Sequence, residues 1–443
     1  MVEINISSFS GANNISEKFF TNKNGTVEPR IVLNSDVTLA GKIVKRQGIT
    51  LFISLSGAYS AWAGFSCALC AARGILYRIH NTDLIPLTSL SGPDSPLSYV
   101  EINNKVYISN KYWTGVLDIT TNIVSNFGIN PPSGPMIISG SGSLPAGTYH
   151  VCMTNSNENE LSGNGPISTI VLNDDSGIQV LNRSNTNLVW VTEANEPIFY
   201  LVGAVNQITN IPTIEPLPSF LCQPPPYLEN LCYAFGRIWG SVDKILYYSQ
   251  PHHISWFKPS SNKFILDDDI TLIAKVPGGL YIGTRSSTKF FNGSIPEQMT
   301  QSNVGSASIP GTLVYCNNMP ELSWTLGTPE KVFNDVPVWL TNDGLVIGNN
   351  SGKFFNISKN KTKMSIPTNG ASLFRTVNGN IQILTNFKSG ITGSGTGSVD
   401  TETLNTFING YIDTYSKSDR QLGCRTGFTD IASCTVTRNG EVI

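Results

Sequence analysis

Charge is scarce in this 443-residue chain. Asp, Glu, Lys and Arg make up only 14% of it, and 29 basic residues almost cancel 31 acidic ones, for a formal net charge of -2. A protein that holds nucleic acid by neutralising phosphates needs a basic surplus, and with a pI near 6.1 this chain has none. A duplex that merely passes by is compatible with that balance. Long apolar runs are missing too: the richest stretch, ITLFISLSGAYSAWAGFSCALCAA, is broken by Ser and Gly well short of the roughly 18 residues of a membrane span. The opening MVEINISSFSG has neither a basic nor an apolar signal-peptide region, so the expectation is a soluble chain made in the cytoplasm.

Groups that carry chemistry are just as sparse. The four histidines are His80, His150, His252 and His253. The adjacent pair would point to opposite faces of a strand and could not grip one metal. Cys67 and Cys70 form a CxxC in an apolar run, but no second pair completes a zinc set, so burial is expected. Cys152, Cys222, Cys232, Cys316, Cys424 and Cys434 follow no spacing and read mostly as free thiols. Asp267, Asp268 and Asp269 lack the alternation and the glycine of a calcium loop, and a connecting turn is the better reading. No nucleophile elbow, phosphate loop or dinucleotide fingerprint is present, and GSGTGS lacks the flanking strand and helix that phosphate binding uses. Catalytic, cofactor-binding and metal residues are therefore expected to be none. The chain reads as a non-enzyme without a cofactor.

What is abundant is turn chemistry: 40 Gly and 25 Pro, among many Ser, Thr and Asn, indicate an all-β protein. The stretch VPGGLYIGTRSSTKFFNG (276–293) reads as a strand, a Gly278-Gly279 turn at positive φ, a second strand, a polar bend and a third strand. VWLTNDGLVIGNNSGKFFNIS (338–358) repeats that order. EINNKVYISNKYWTGVLDI (101–119), YAFGRIWGSVDKILYYS (233–249) and FRTVNGNIQILTNF (374–387) follow with substitutions. One meander cannot bury its own apolar face, so recurring meanders must stack on one another. The copies are unevenly spaced with one wide gap, which predicts a divergent β-propeller of about six blades carrying an insertion. Trp62, Trp113, Trp239, Trp256, Trp324 and Trp339 fall mostly in blade-like strands and are expected to pack in cores rather than form a sugar platform.

The expected organisation has five parts. Residues 1–50 form an N-terminal arm with short strands, IVL and KIV, around an Asn-Ser-Asp turn. Residues 51–130 supply the first blades. Residues 131–226 form an inserted immunoglobulin- or fibronectin III-like β-sandwich, bounded by PPSGP and by IPTIEPLPSFLCQPPPY, whose six prolines among seventeen residues suggest an extended linker. Few contacts are expected to cross either boundary, which would make the sandwich separable by proteolysis. Residues 227–388 supply the remaining blades. Residues 389–443 read as a Gly/Ser linker and a C-terminal tail, with Leu404, Phe407, Ile408, Tyr411, Ile412 and Tyr415 at helical spacing and a closing hairpin at Asn439-Gly440.

Two stretches resemble a known family. Gly11, Asn13 and Asn14, then Asn34 and Asp36, then Gly41, Ile43, Lys45, Arg46 and Gly48, look like the N-terminal signature of tail proteins from short-tailed bacteriophages and related prophages. Tyr247, Tyr248 and Ser249, then Trp256, Phe257 and Pro259, then Asp267 to Asp269, resemble the propeller-like body of those proteins. Together they cover about a third of the chain and frame the rest. The resemblance implies a nozzle or hub protein of the virion tail, a homohexameric ring around the DNA exit channel. Its neighbours would be the portal, the adaptor and other tail proteins, including fibres or spikes. The other reading is a glycan-binding or glycan-cleaving propeller, since a facing carboxylate pair would leave no mark among so many acidic residues.

Overall fold

The computed structural model describes residues 53–157, 160–316 and 335–356, with Lys42 and short strands at 8–9, 20–21, 26–28, 35–37, 43–45, 367–377, 380–389, 404–408 and 411–415. The chain is all-β, as its turn-rich composition predicts. Six antiparallel meanders occur in chain order among the described residues, the second and third separated by an insertion.

The first sheet runs through Ala58–Ala63, Ala68–Ala72, Ile75–His80 and Asp83–Ser89, and the second through Ser98–Ile102, Lys105–Ser109, Thr114–Asp118 and Ile123–Ser125. The third is Glu229–Ala234, Arg237–Val242 and Ile245–Gln250, with its fourth position divided between His253–Phe257 and Lys263–Ile265. The fourth comprises Ile270–Val276, Gly279–Thr284, Ser287–Asn292 and Thr300–Ser306, and the fifth Val314–Cys316, Val336–Thr341, Gly344–Gly348 and Phe354–Asn356. Pro367–Val377, Asn380–Ser389, Leu404–Ile408 and Tyr411–Tyr415 make the sixth.

Local sequence explains the hairpins. Asn103-Asn104, Arg73-Gly74 and Phe235-Gly236 each hold two consecutive positive φ angles, the primed turn whose twist matches that of paired strands. The Pro277-Gly278 turn differs from expectation. Val276 pairs with Gly279, so the glycine pair straddles the end of the turn, and neither glycine has a positive φ. Space makes them necessary instead. A Cβ on Gly278 would lie 2.0 Å from the Asn350 carbonyl oxygen, and one on Gly279 2.1 Å from that of Phe291.

Each apolar core lies between two consecutive sheets. Leu69 and Leu76 meet Val106, Ile108 and Leu117; Ile102 and Val116 meet Leu231 and Ile238; Trp239 and Leu246 meet Ile273, Leu280 and Phe291. Tyr281 and Phe290 then meet Trp339 and Val346, and Val338 and Ile347 meet Ile383. Each side chain of this size contributes about 1.5–3 kcal/mol when withdrawn from water. The first strands of the sheets also make polar contacts to the chain that starts or leads into the next sheet. Ser60 Oγ accepts from Leu97 N at 2.8 Å, and Ser98 Oγ accepts from Leu231 N at 2.6 Å. Asn230 Nδ2 donates to the Ile270 carbonyl at 3.3 Å, and Thr271 and Ser308 share a hydroxyl contact of 2.6 Å. Ser60, Asn230 and Thr271 each stand where the register of a first strand slips, a bulge that turns a polar side chain toward the adjacent sheet.

Between the second and third sheets lies a sandwich of two sheets. One is Ile137–Leu144, Ser176–Val180 and Gln207–Ile208; the other runs Leu161–Asn164, Gly147–Ser156, Asn187–Thr192 and Phe199–Gly203, with Ser168–Leu172 also paired to Gly147–Ser156. Leu144, Ile178, Val180 and Ile208 from the first meet Tyr149, Val151, Met153, Val189 and Val191 from the second.

Several sequence expectations need correction. Leu404, Phe407, Ile408, Tyr411, Ile412 and Tyr415 lie in two strands paired as a hairpin, and Lys388 pairs with Leu404. The final blade therefore reaches residue 415 rather than ending near 388, because pairing to an existing sheet overrides a weak helical spacing interrupted by Gly410. Near the N-terminus, Ser35–Val37 pairs with Ile43–Lys45, which places Ser35 and Asp36 in a strand rather than in a turn. The IVL run (31–33), most of the Gly/Ser stretch after Ser389, and the Asn439-Gly440 hairpin lie outside the described residues. The proline-rich exit segment is not a free linker. Pro216 bridges to Tyr200, Leu217 N donates to the Phe199 carbonyl at 2.9 Å, and Leu217 is buried.

Candidate functional site

The most elaborated region is the junction where the sandwich is seated on the propeller. The chain leaves the second sheet after Ser125 and rejoins the body at Glu229. Ser109 Oγ accepts from Leu228 N at 2.9 Å, which ties the returning chain to the sheet it left. Asn155 Nδ2 donates to the Asn130 carbonyl at 2.8 Å, and Ser168 Oγ to that of Pro135 at 2.6 Å, so the entry segment is fixed as well.

Trp256 is the central anchor. It lies in the outer strand of the third sheet and is 8% exposed, and its Nε1 donates to the Leu161 carbonyl of the sandwich at 2.7 Å. His253 stacks on it, with ring centroids 3.9 Å apart and planes 9° from parallel. Burial, then the neighbouring His252, lowers the His253 pKa and favours the neutral ring. Next to Trp256, Phe257 exchanges two backbone bonds with Gln223, of 2.8 and 3.0 Å, so the exit segment extends the edge of the third sheet. Glu160, at the tip of the sandwich, has its carboxyl pKa raised by burial against the opposing pull of Lys105. Burial pushes the Tyr107 phenol up to about 12, and the Glu160 charge adds to that rise.

A second feature is a band of ion pairs on the end of the sheets from which the sandwich emerges. Lys111 reaches Glu229 at 3.6 Å and Asp243 at 3.9 Å, Arg285 reaches Asp269 at 3.1 Å, and Lys289 reaches Asp267 at 2.5 Å. Asp267 to Asp269 occupy the connection from the third to the fourth sheet, where Asp267 and Asp269 serve neighbouring cations and Asp268 Oδ1 accepts from Asp269 N at 2.8 Å. Burial raises the pKa of Glu229, and Lys111 opposes it. The Arg285–Asp269 pair is solvated on both sides and contributes about 0–1 kcal/mol, whereas Lys289 is buried along its length and meets Asp267 at the surface.

The remaining singled-out residues do not converge. Cys67 closes a turn in which its carbonyl accepts from Gly64 N at 2.9 Å; Cys70 is buried in the following strand, and the two thiols are free. Burial pushes both up to about 11, away from the thiolate form that binds metal. His150 contacts Thr169 Oγ1 at 2.9 Å, His252 occupies a positive-φ turn against Gly236, and His80 ends a strand opposite Asp83. Among the described residues no three His, Cys, Asp or Glu side chains gather as a metal site. Trp62 stacks on Tyr99, while Trp239 and Trp339 are fully buried; Trp324, Cys424 and Cys434 lie outside the described residues. Trp190 and the covering residues Leu217 and Phe220 were not foreseen. Their signal was two apolar side chains recurring between prolines, which a reading of that stretch as linker passes over.

No family model matches the chain, and no curated protein matches it. Among solved structures it is similar to BBS1N in its complex with ARL6DN, at 10% identity and a TM-score of 0.31, covering 77% of this chain and 92% of that one. It is similar to the N-terminal domain of Nup159 at 12% identity and 0.26, covering 74% and 72%. Hsv2 of Kluyveromyces lactis follows at 8% and 0.26, covering 79% and 94%. Likenesses at this level carry no argument about what the chain does.

Proposed function

We propose that the chain is a structural component of a short-tailed bacteriophage tail, a nozzle or hub subunit that forms a ring around the DNA exit channel beneath the portal and adaptor. The observation that carries this reading is where the family-like residues fall. Trp256 and Phe257 seat the inserted sandwich, and Asp267 to Asp269 join the third and fourth sheets, so the resemblance lies at the joints of the molecule. The near-neutral charge supports the same reading, because a surface that gathers phosphate contacts would slow a passing duplex through counterion release. A propeller's own axis is filled by side chains, so the duplex would run down the middle of a ring of subunits, six by the resemblance, joined by heterologous contacts. Retention and delivery of genomic DNA follow from that position.

The sandwich is read as immunoglobulin-like because its larger sheet places Gly147–Ser156 and Asn187–Thr192 centrally, flanked by Leu161–Asn164 and Phe199–Gly203. The test of function is to image purified virions and locate this chain. A ring of copies around the exit channel is expected. A single copy, a peripheral trimeric spike, absence from the particle, or release of sugar from host polysaccharide by the purified protein would overturn the proposal.

A further inference from the structure

The exit segment from Glu215 to Gln223 has the construction of a latch. It lies across the outer face of the larger sandwich sheet, where Leu217 and Phe220 cover Cys152, Trp190 and Phe199. Three kinds of bond hold it. Leu201 N donates to the Glu215 carbonyl at 3.1 Å, Ser219 Oγ to that of Ser162 at 2.6 Å, and Leu221 N to Asn164 Oδ1 at 2.7 Å. At its far end Gln223 is bonded to Phe257 of the third sheet. The segment thus binds the sandwich to the propeller.

One residue works against this closure. Leu221 sits at φ +61°, a left-handed conformation that a branched side chain adopts only when its surroundings impose it, and its side chain is 51% exposed rather than buried in compensation. The imposed geometry is tight: a Cβ on the adjoining Gly163 would lie 1.6 Å from the Cys222 carbonyl oxygen. Few apolar side chains, a handful of bonds and one strained residue describe a segment drawn from the low-stability end of a fold.

We propose that residues 215–223 form a conformational latch that opens without unfolding of the sheets, parting Gln223 from the edge of the third sheet and baring the Cys152, Trp190 and Phe199 face while the Trp256 anchor stays in place. The closed state keeps two thiols silent. Cys152 and Cys222 are buried and free, and burial pushes them up to about 12 and about 11. Opening uncovers both at once. This inference stands apart from the tail reading, since it concerns motion within one chain.

The test is pulsed thiol alkylation of the full chain in native buffer, read peptide by peptide by mass spectrometry, with the buried Cys232 and Cys316 of the sheets as internal references. Cys152 and Cys222 are expected to react together, faster than Cys232 and Cys316, at a rate insensitive to low denaturant. Leu221→Gly, which removes the left-handed penalty, should slow both about tenfold. Asn164→Ala, which removes one bond of the latch, should speed both while leaving the references unchanged. Reaction of all four thiols at one rate, or a Leu221→Gly rate equal to that of the parent chain, would overturn the proposal.

Discussion

Buried polar atoms and close approaches set what single residues can tolerate here. Ser98 Oγ satisfies the backbone N–H of Leu231, which is itself buried between two sheets. Ser98→Ala leaves that donor without a partner and is expected to cost about 1–3 kcal/mol in equilibrium denaturation. Gly163→Ala presses a methyl group into the Cys222 carbonyl and is expected to cost at least about 1–3 kcal/mol, seen as a lowered denaturation midpoint. Glu160 fixes a pH dependence. Its folded pKa is raised, so in that range the native state holds the proton more tightly than the unfolded chain does. The stabilising contribution is complete below the unfolded carboxyl pKa and is lost as pH rises through the folded one. Glu160→Gln should therefore gain stability relative to the parent at neutral pH and lose that advantage in acid; equal pH profiles for the two chains would refute the assignment.

At the scale of elements, the alternation and turn residues made most strands legible, and the five modules singled out in the sequence all fall in paired meanders. What escaped was decided by partners distant in sequence. Leu404 to Tyr415 carries a helical spacing, yet the strand Asn380–Ser389 offers it a ready edge. The segment Ile211 to Pro226 is rich in proline, which reads as linker, but Leu217 and Phe220 find a sheet face that sequence alone cannot display. At the junction, Trp256 was legible as a family-like residue, whereas its acceptor, the Leu161 carbonyl, lies 95 residues away and carries no side-chain signature. Trp256→Phe keeps an aromatic side chain, though a smaller one, and removes that bond. It is expected to cost about 1 kcal/mol and to raise protease sensitivity at the sandwich, measured by the rate of limited digestion. An unchanged digestion rate would mean that the indole nitrogen contributes nothing to seating.

For the whole molecule, cores shared between consecutive sheets make stability a property of neighbours. Truncation after Asn356 would remove Ile383 from the core containing Val338 and Ile347, and the shortened chain is expected to aggregate or to unfold at lower denaturant. The docked entry and exit segments change the expected proteolysis. Slow cleavage across residues 211–226, limited by how often the latch opens, is expected in place of the ready release of a sandwich fragment that the proline-rich boundaries suggest, and prompt release of an intact sandwich would count against it. The two ends of the insertion also lie side by side: a Cβ on Gly128 would be 3.4 Å from Pro224 Cβ, and Ser109 holds Leu228 just beyond. Propeller geometry is therefore indifferent to how much chain lies between those two points, since the entropy of closing a loop grows only with the logarithm of its length. The gap between the second and third blades is a mounting point. A lineage of such proteins could exchange the module carried there, or drop it for a short turn, while every blade-to-blade contact stayed as it is.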